Sequence, residues 1–125
     1  MEENSFLEAS ENGDINTVKK YISDPAYVNK SDEFDRTALM KAAKHGHAEI
    51  VRLLLDHGAN VNARDNRGTS ALYWASSNGH HQIVQLLIKH HSDVGVFDNR
   101  GWSAKDQANY HHYDDIVQTL ESAGA

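Results

Sequence analysis

The side chains in this chain best suited to chemistry are its nine histidines and its many carboxylates. Imidazole and carboxylate are the usual acid–base groups, and a hydroxyl beside them is the usual nucleophile. The histidines cluster: His45 with His47, His80 with His81, and His111 with His112, while His57, His90 and His91 stand apart from these. A zinc site needs three or four ligands about 2 Å from the ion. Packed helices lie about 8–10 Å apart, so a pair such as His80 and His112 meets only if both rings reach inward. There is no cysteine, and no carboxylate completes an obvious set. Ser70 and Ser103 lie near acids and histidines but are better explained as helix caps. No Gly-x-Ser-x-Gly, Gly-x-x-x-x-Gly-Lys-Ser/Thr or His-Glu-x-x-His occurs. The reading is a non-enzyme with no catalytic residue, no metal and no cofactor. His80, His112 and a nearby acid are the least implausible catalytic set.

Composition narrows the remaining classes. A chain of 125 residues is the size of one ordinary domain. Hydrophobic residues at 39% and charged residues at 24% are those of a soluble globular protein. The longest apolar runs, such as Leu53-Leu54-Leu55, fall far short of the ~20 residues of a membrane span. The net charge of −6, with no basic run longer than Lys19-Lys20, argues against nucleic acid. An acidic opening with no apolar stretch behind it excludes a secretory signal, and the absence of cysteine suits the cytoplasm. Protonating all nine histidines would move the charge to +3, so association is expected to vary with pH near 6.

What positions these residues is a repeat. Asp32, Asp65 and Asp98 are 33 residues apart, and so are Thr37, Ser70 and Ser103, then Ala42, Ala75 and Ala108. Ile50-Val51, Ile83-Val84 and Ile116-Val117 recur as pairs, followed by Leu54, Leu87 and Leu120. One further step back reaches Phe6, Ala9, Gly13, Val18 and Ile22, which gives four units at about 1–31, 32–64, 65–97 and 98–125. Each reads as two short helices. Thr37, Ser70 and Ser103 cap the first helix, and Gly46 and Gly79 end it in a left-handed turn. The three aspartates recur because a turn uses their carboxylates to bind nearby amides. One such unit cannot bury its own apolar face, so neighbours must share a core.

The segment Asp65-Asn66-Arg67-Gly68-Thr69-Ser70-Ala71-Leu72 through Gly79-His80 and Ile83-Val84-Gln85-Leu86-Leu87 resembles an ankyrin repeat, as does Gly58-Ala59-Asn60-Val61-Asn62-Ala63. The resemblance covers essentially the whole chain. It implies an all-α solenoid of helix-turn-helix units, forming a single domain, with β-hairpin-like fingers where units join. The family's Thr-Pro-Leu-His opening stands here as Thr37-Ala38-Leu39-Met40, Ser70-Ala71-Leu72-Tyr73 and Ser103-Ala104-Lys105-Asp106. Losing the histidine puts the ties between fingers in doubt, and a stability below that of a consensus array is expected. His91 and His112 replace expected glycines. Lys105, Asn109, Thr119 and Glu121 make the last unit polar on one side, as a terminal cap requires, so a stand-alone solenoid is expected. Asn62 resembles the site that some ankyrin proteins offer to an asparaginyl hydroxylase, although a turn role explains it better.

The resemblance implies recognition on a concave face built from finger tips and the exposed side of the first helices. The helix positions are Lys41, Lys44 and His45, then Trp74, Ser77 and Asn78, then Tyr110 and His111 beside Gln107. The finger positions are Phe34 and Arg36, then Arg64, Asn66, Arg67 and Thr69, then Phe97, Asn99, Arg100 and Trp102. Aromatic residues and arginine dominate interface hot spots, and here they fall where the core does not require them. The competing reading stacks Arg on Trp or Phe as ordinary surface packing. The expected function is non-catalytic binding of another protein with an acidic and apolar contact face, by a chain that is monomeric when free. The alternatives are an inhibitor or immunity-type protein blocking an enzyme, and a self-associating scaffold.

Overall fold

The computed structural model describes residues 2–125, with side chains from Ser5 onward. Among these residues there are nine helices: α1 (Glu2–Asn12), α2 (Ile15–Ile22), α3 (Pro25–Val28), α4 (Ala38–Lys44), α5 (Ala48–Asp56), α6 (Ala71–Ser77), α7 (His81–Lys89), α8 (Ala104–Tyr110) and α9 (Asp114–Ser122). α1, α4, α6 and α8 pack in one row, and α2, α5, α7 and α9 in a second. The short α3 follows α2 and starts on Pro25, whose fixed φ suits a first helical turn.

Local chemistry sets the ends of the first-row helices. Thr37, Ser70 and Ser103 each accept an amide N–H three residues on, and Ser103 with Asp106 forms a reciprocal capping box. At the other end the chain reverses within two residues, closed by amides of Asp14, His47, His80 and Tyr113 donating to the carbonyls of Ala9, Ala42, Ala75 and Ala108. Gly46 makes the reversal with φ +81°, and the His80 ring lies 2.8 Å from where its Cβ would be. Any side chain there would be both strained and in collision. His47 sits the same way over Gly13, and Tyr113 over Gly79. His47 Nε2 donates to the Glu11 carbonyl at 2.8 Å, and His80 Nε2 to that of Lys44 at 3.0 Å. His81 Nε2 likewise lies 2.7 Å from Thr119 Oγ1 of α9, so three of the nine histidines join one helix pair to the next.

The core lies between the rows. Val18, Val51 and Val84 are fully buried, as are Leu54, Leu87 and Leu120, so equivalent positions stack into apolar columns. Burying a side chain of this size is worth about 1.5–3 kcal/mol. Ala42, Ala75 and Ala108 are equally inaccessible and keep the first-row helices close.

The β-hairpin-like fingers expected between units are not present, and among the described residues there is no β-strand. The connections 31–37 and 97–103 each hold one isolated antiparallel bridge, Ser31 with Thr37 and Phe97 with Ser103. The aspartates explain this. Asp32 Oδ1 accepts the amides of Phe34 and Arg36, Asp65 Oδ1 those of Arg67 and Thr69, and Asp98 Oδ1 those of Arg100 and Trp102. Donors that a ladder would use are drawn onto a carboxylate inside the loop. Successive loops are linked by one backbone bond each, Asn66 to Phe34 and Asn99 to Arg67. His91 and His112 take φ of +69° and +61°, the left-handed conformation of the glycines they replace.

Candidate partner-binding surface

The loops and the first-row helices enclose a cavity of about 460 Å³, lined by Arg67, Thr69, Asp98, Asn99 and Arg100 from two loops and by Tyr73, Trp74, Ser77 and Gln107 from α6 and α8. It belongs to the size class of small-ligand and side-chain pockets. Its position follows from the repeat, because Tyr73, Trp74 and Gln107, three or four residues past the caps of α6 and α8, lie beside the aspartate loops.

The structure divides the candidate residues into two groups. Several serve the fold. The Arg36 guanidinium lies over both Phe34 and Trp74, at 5.3 and 5.4 Å from the ring centres, and Lys44 lies 4.9 Å from that of Trp74. Around Trp74 the surface-packing alternative therefore describes the geometry. Lys41 Nζ reaches Asp32 Oδ2 at 3.0 Å and Glu11 at 3.6 Å. Arg64 donates to the carbonyls of Gly68 and Phe97, and Asn99 Nδ2 to that of Asn66. Ser77 Oγ donates to Gln107, and Asn78 Nδ2 to the Trp74 carbonyl. Thr69 is only 3% exposed.

The second group is open. Phe97 is 56% exposed, Tyr110 68% and Trp102 37%. Trp102, Tyr110, His111 and Tyr113 form a chain of ring contacts at 6.0, 5.1 and 5.5 Å along the last helix pair. His45 is exposed at the C-terminal cap of α4, 6.3 Å from the ring of His47. Its pKa lies below the ordinary 6.5, first through desolvation and then through Lys44 and neighbouring imidazoles, with Glu11 opposing. The guanidiniums of Arg67 and Arg100 make no hydrogen bond or ion pair among the described residues.

Sequence reasoning passed over Tyr73 and Asp98. The Tyr73 hydroxyl donates to Asp98 Oδ2 at 2.8 Å and accepts from Gln107 Nε2 at 2.9 Å. Burial, then the Asp98 hydrogen bond and charge, raise the Tyr73 pKa. For Asp98, burial pushes upward but is outweighed by the Trp102 amide, the Tyr73 hydroxyl and the Arg100 amide and charge, so its pKa falls below 3.8. The available signal was a tyrosine in place of the family's histidine, 25 residues ahead of the next loop's aspartate.

Among the described residues no group of three or more His, Cys, Asp or Glu could hold a metal ion. None of their helices is long and apolar enough to cross a membrane.

A family model described as ankyrin repeats (3 copies) matches residues 6–98 and 66–125. The chain belongs to the ankyrin-repeat family, whose all-helical solenoids are typically protein-binding scaffolds. None of the curated proteins matches it.

Proposed function

We propose that this chain is a four-repeat ankyrin domain, divided at about 1–31, 32–64, 65–97 and 98–125, that binds a protein partner without catalysis. The binding face is the cavity at α6 and α8 together with the exposed aromatic residues beside it. The observation that carries this reading is that two arginine side chains line this cavity without a hydrogen bond or ion pair among the described residues, while Phe97 and Trp102 of the same 97–103 loop and Tyr110 of α8 are exposed and unused by the core. Several exposed large apolar side chains on one stretch of surface mark an interaction site more often than a bare surface. A partner with acidic and apolar groups fits, and the free chain is monomeric.

The test is affinity capture with the wild-type chain and with Phe97→Ala, Trp102→Ala, Tyr110→Ala as bait, after circular dichroism shows that both are folded alike. A protein retained by the wild type and lost by the variant supports this face. Retention of the same proteins by both removes it. An inhibitor differs from a passive scaffold in one respect: adding the chain abolishes the captured partner's own activity.

A further inference from the structure

We infer that the cavity between the loops 64–70 and 97–103 is a specificity pocket for a single acidic side chain, glutamate or aspartate, of the protein partner. This rests on the binding face proposed above and names what enters it.

The argument starts from the hydrogen-bonding capacity of the wall. The acceptor oxygens of Asp98, Tyr73 and Gln107 on it are already engaged. Asp98 Oδ1 takes two amides and its Oδ2 takes the Tyr73 hydroxyl. Tyr73 Oη accepts from Gln107 Nε2, and Gln107 Oε1 accepts from Ser77 Oγ. What remains open is rich in donors. The exposed Arg67 and Arg100 guanidiniums line it without a side-chain partner. A ligand that only accepts, with two oxygens and several lone pairs, complements such a wall, and an ionised carboxylate has that inventory.

Charge points the same way. Two guanidiniums face one carboxylate, Asp98, whose own charge is offset by three donors, so the cavity favours an anion within an acidic protein. A singly charged carboxylate suits it better than a dianionic phosphate, which Asp98 on the floor would repel more strongly. Trp74 supplies an apolar wall for the methylenes leading to the carboxylate. The two arginines occupy equivalent positions of successive loops, and the Asn99 amide bonded to the Arg67 carbonyl at 2.9 Å fixes those loops relative to each other. The backbones that carry both cations are thus fixed relative to each other before a ligand arrives, which lowers part of the ordering cost on binding. The corresponding residue of the preceding loop is Phe34, so the pair of arginines occurs only at this junction.

The test uses a random-peptide display library selected on the immobilised full chain, followed by synthesis of the best binder. The expected result is a shared acidic residue among the selected peptides. Replacing it by glutamine in the synthetic peptide should weaken binding about tenfold. In the variant Arg67→Gln, Arg100→Gln, checked by thermal melting, the acidic and glutamine peptides should bind equally. Four results overturn the proposal: no peptide is selected, the selected peptides share no acid, the glutamine penalty survives in the double variant, or inorganic phosphate displaces the acidic peptide as readily as free glutamate does. Any of these, with partner capture still lost on removing Phe97, Trp102 and Tyr110, leaves the binding face standing and removes only the acidic pocket.

Discussion

The loops at 64–70 and 97–103 are built alike, yet the helices below them treat them differently. Each closes on an aspartate whose Oδ1 accepts two amides of its own loop. At the later loop the second oxygen, Asp98 Oδ2, receives the Tyr73 hydroxyl, and Gln107 completes the chain from the next helix. At the earlier loop the residue in Tyr73's place is Met40, which has no proton to give. Asp65 Oδ2 is left buried without a hydrogen bond, and Arg36 Nε stands 3.7 Å away, itself unbonded. One junction is a satisfied polar network, and the other is a loose ion pair held by Arg36's stacking on Phe34 and Trp74. A single residue type at one repeat position thus decides whether a loop is bonded to its helix or only packed near it.

This contrast breaks most readily at Asp98. Asp98→Ala is expected to cost about 3 kcal/mol, since it leaves two amides and a hydroxyl without their acceptor. In urea unfolding it should exceed the loss for Asp65→Ala, and the reverse order would show that the network is not the stronger junction. The pH dependence follows from the lowered Asp98 pKa. The unfolded chain takes up this proton first, so the contribution is complete above 3.8 and is lost as pH falls through the folded value. The stability gap between wild type and Asp98→Asn should therefore narrow on acidification below pH 3.8, and a gap that widens would contradict the assignment.

Tyr73→Phe removes one oxygen and is expected to cost about 2 kcal/mol by stranding Asp98 Oδ2 and Gln107 Nε2. A change within error would mean that these groups find other partners. The reciprocal substitution, Met40→Tyr, should stabilise by about 1 kcal/mol if its hydroxyl reaches Asp65 as Tyr73 reaches Asp98. A loss would show that Arg36 already serves Asp65 or that the ring overfills the site. A change of similar or smaller size is expected at the ends of the second helices. α5 is followed by Gly58 at φ +87°, but α7 by His91 at +69°, where a side chain is strained. His91→Gly should raise the melting stability by up to about 1 kcal/mol, and a lower melting point would show that the imidazole makes up for its strain.

Much of the fold could be read directly from spacing. The caps at Thr37, Ser70 and Ser103, the turns at Gly46 and Gly79 and the columns of valine and leucine all stand where a 33-residue period puts them. Such features depend on neighbours within a few residues or on equivalent positions of the next unit. The fingers were not legible in the same way. Their composition is compatible with a hairpin, and the absence of a ladder follows from the aspartate oxygens capturing the amides within each loop. For the candidate site, residue types pointed to aromatic and basic side chains outside the core, without separating one arginine from another.

By itself, then, the sequence determined the period, the helical pairs and the shared core, because local geometry and apolar periodicity are short-range properties of the chain. Only the tertiary structure decided which cations are free. Arg36 and Arg64 are held by an indole ring and by backbone carbonyls of neighbouring units, whereas Arg67 and Arg100 line a cavity unpaired. The same is true of Tyr73 and Asp98, 25 residues apart, whose bond exists because stacking one helix pair on the next carries a loop over a hydroxyl. Whether a polar group is satisfied depends on atoms a full repeat away, and that distance closes only on folding.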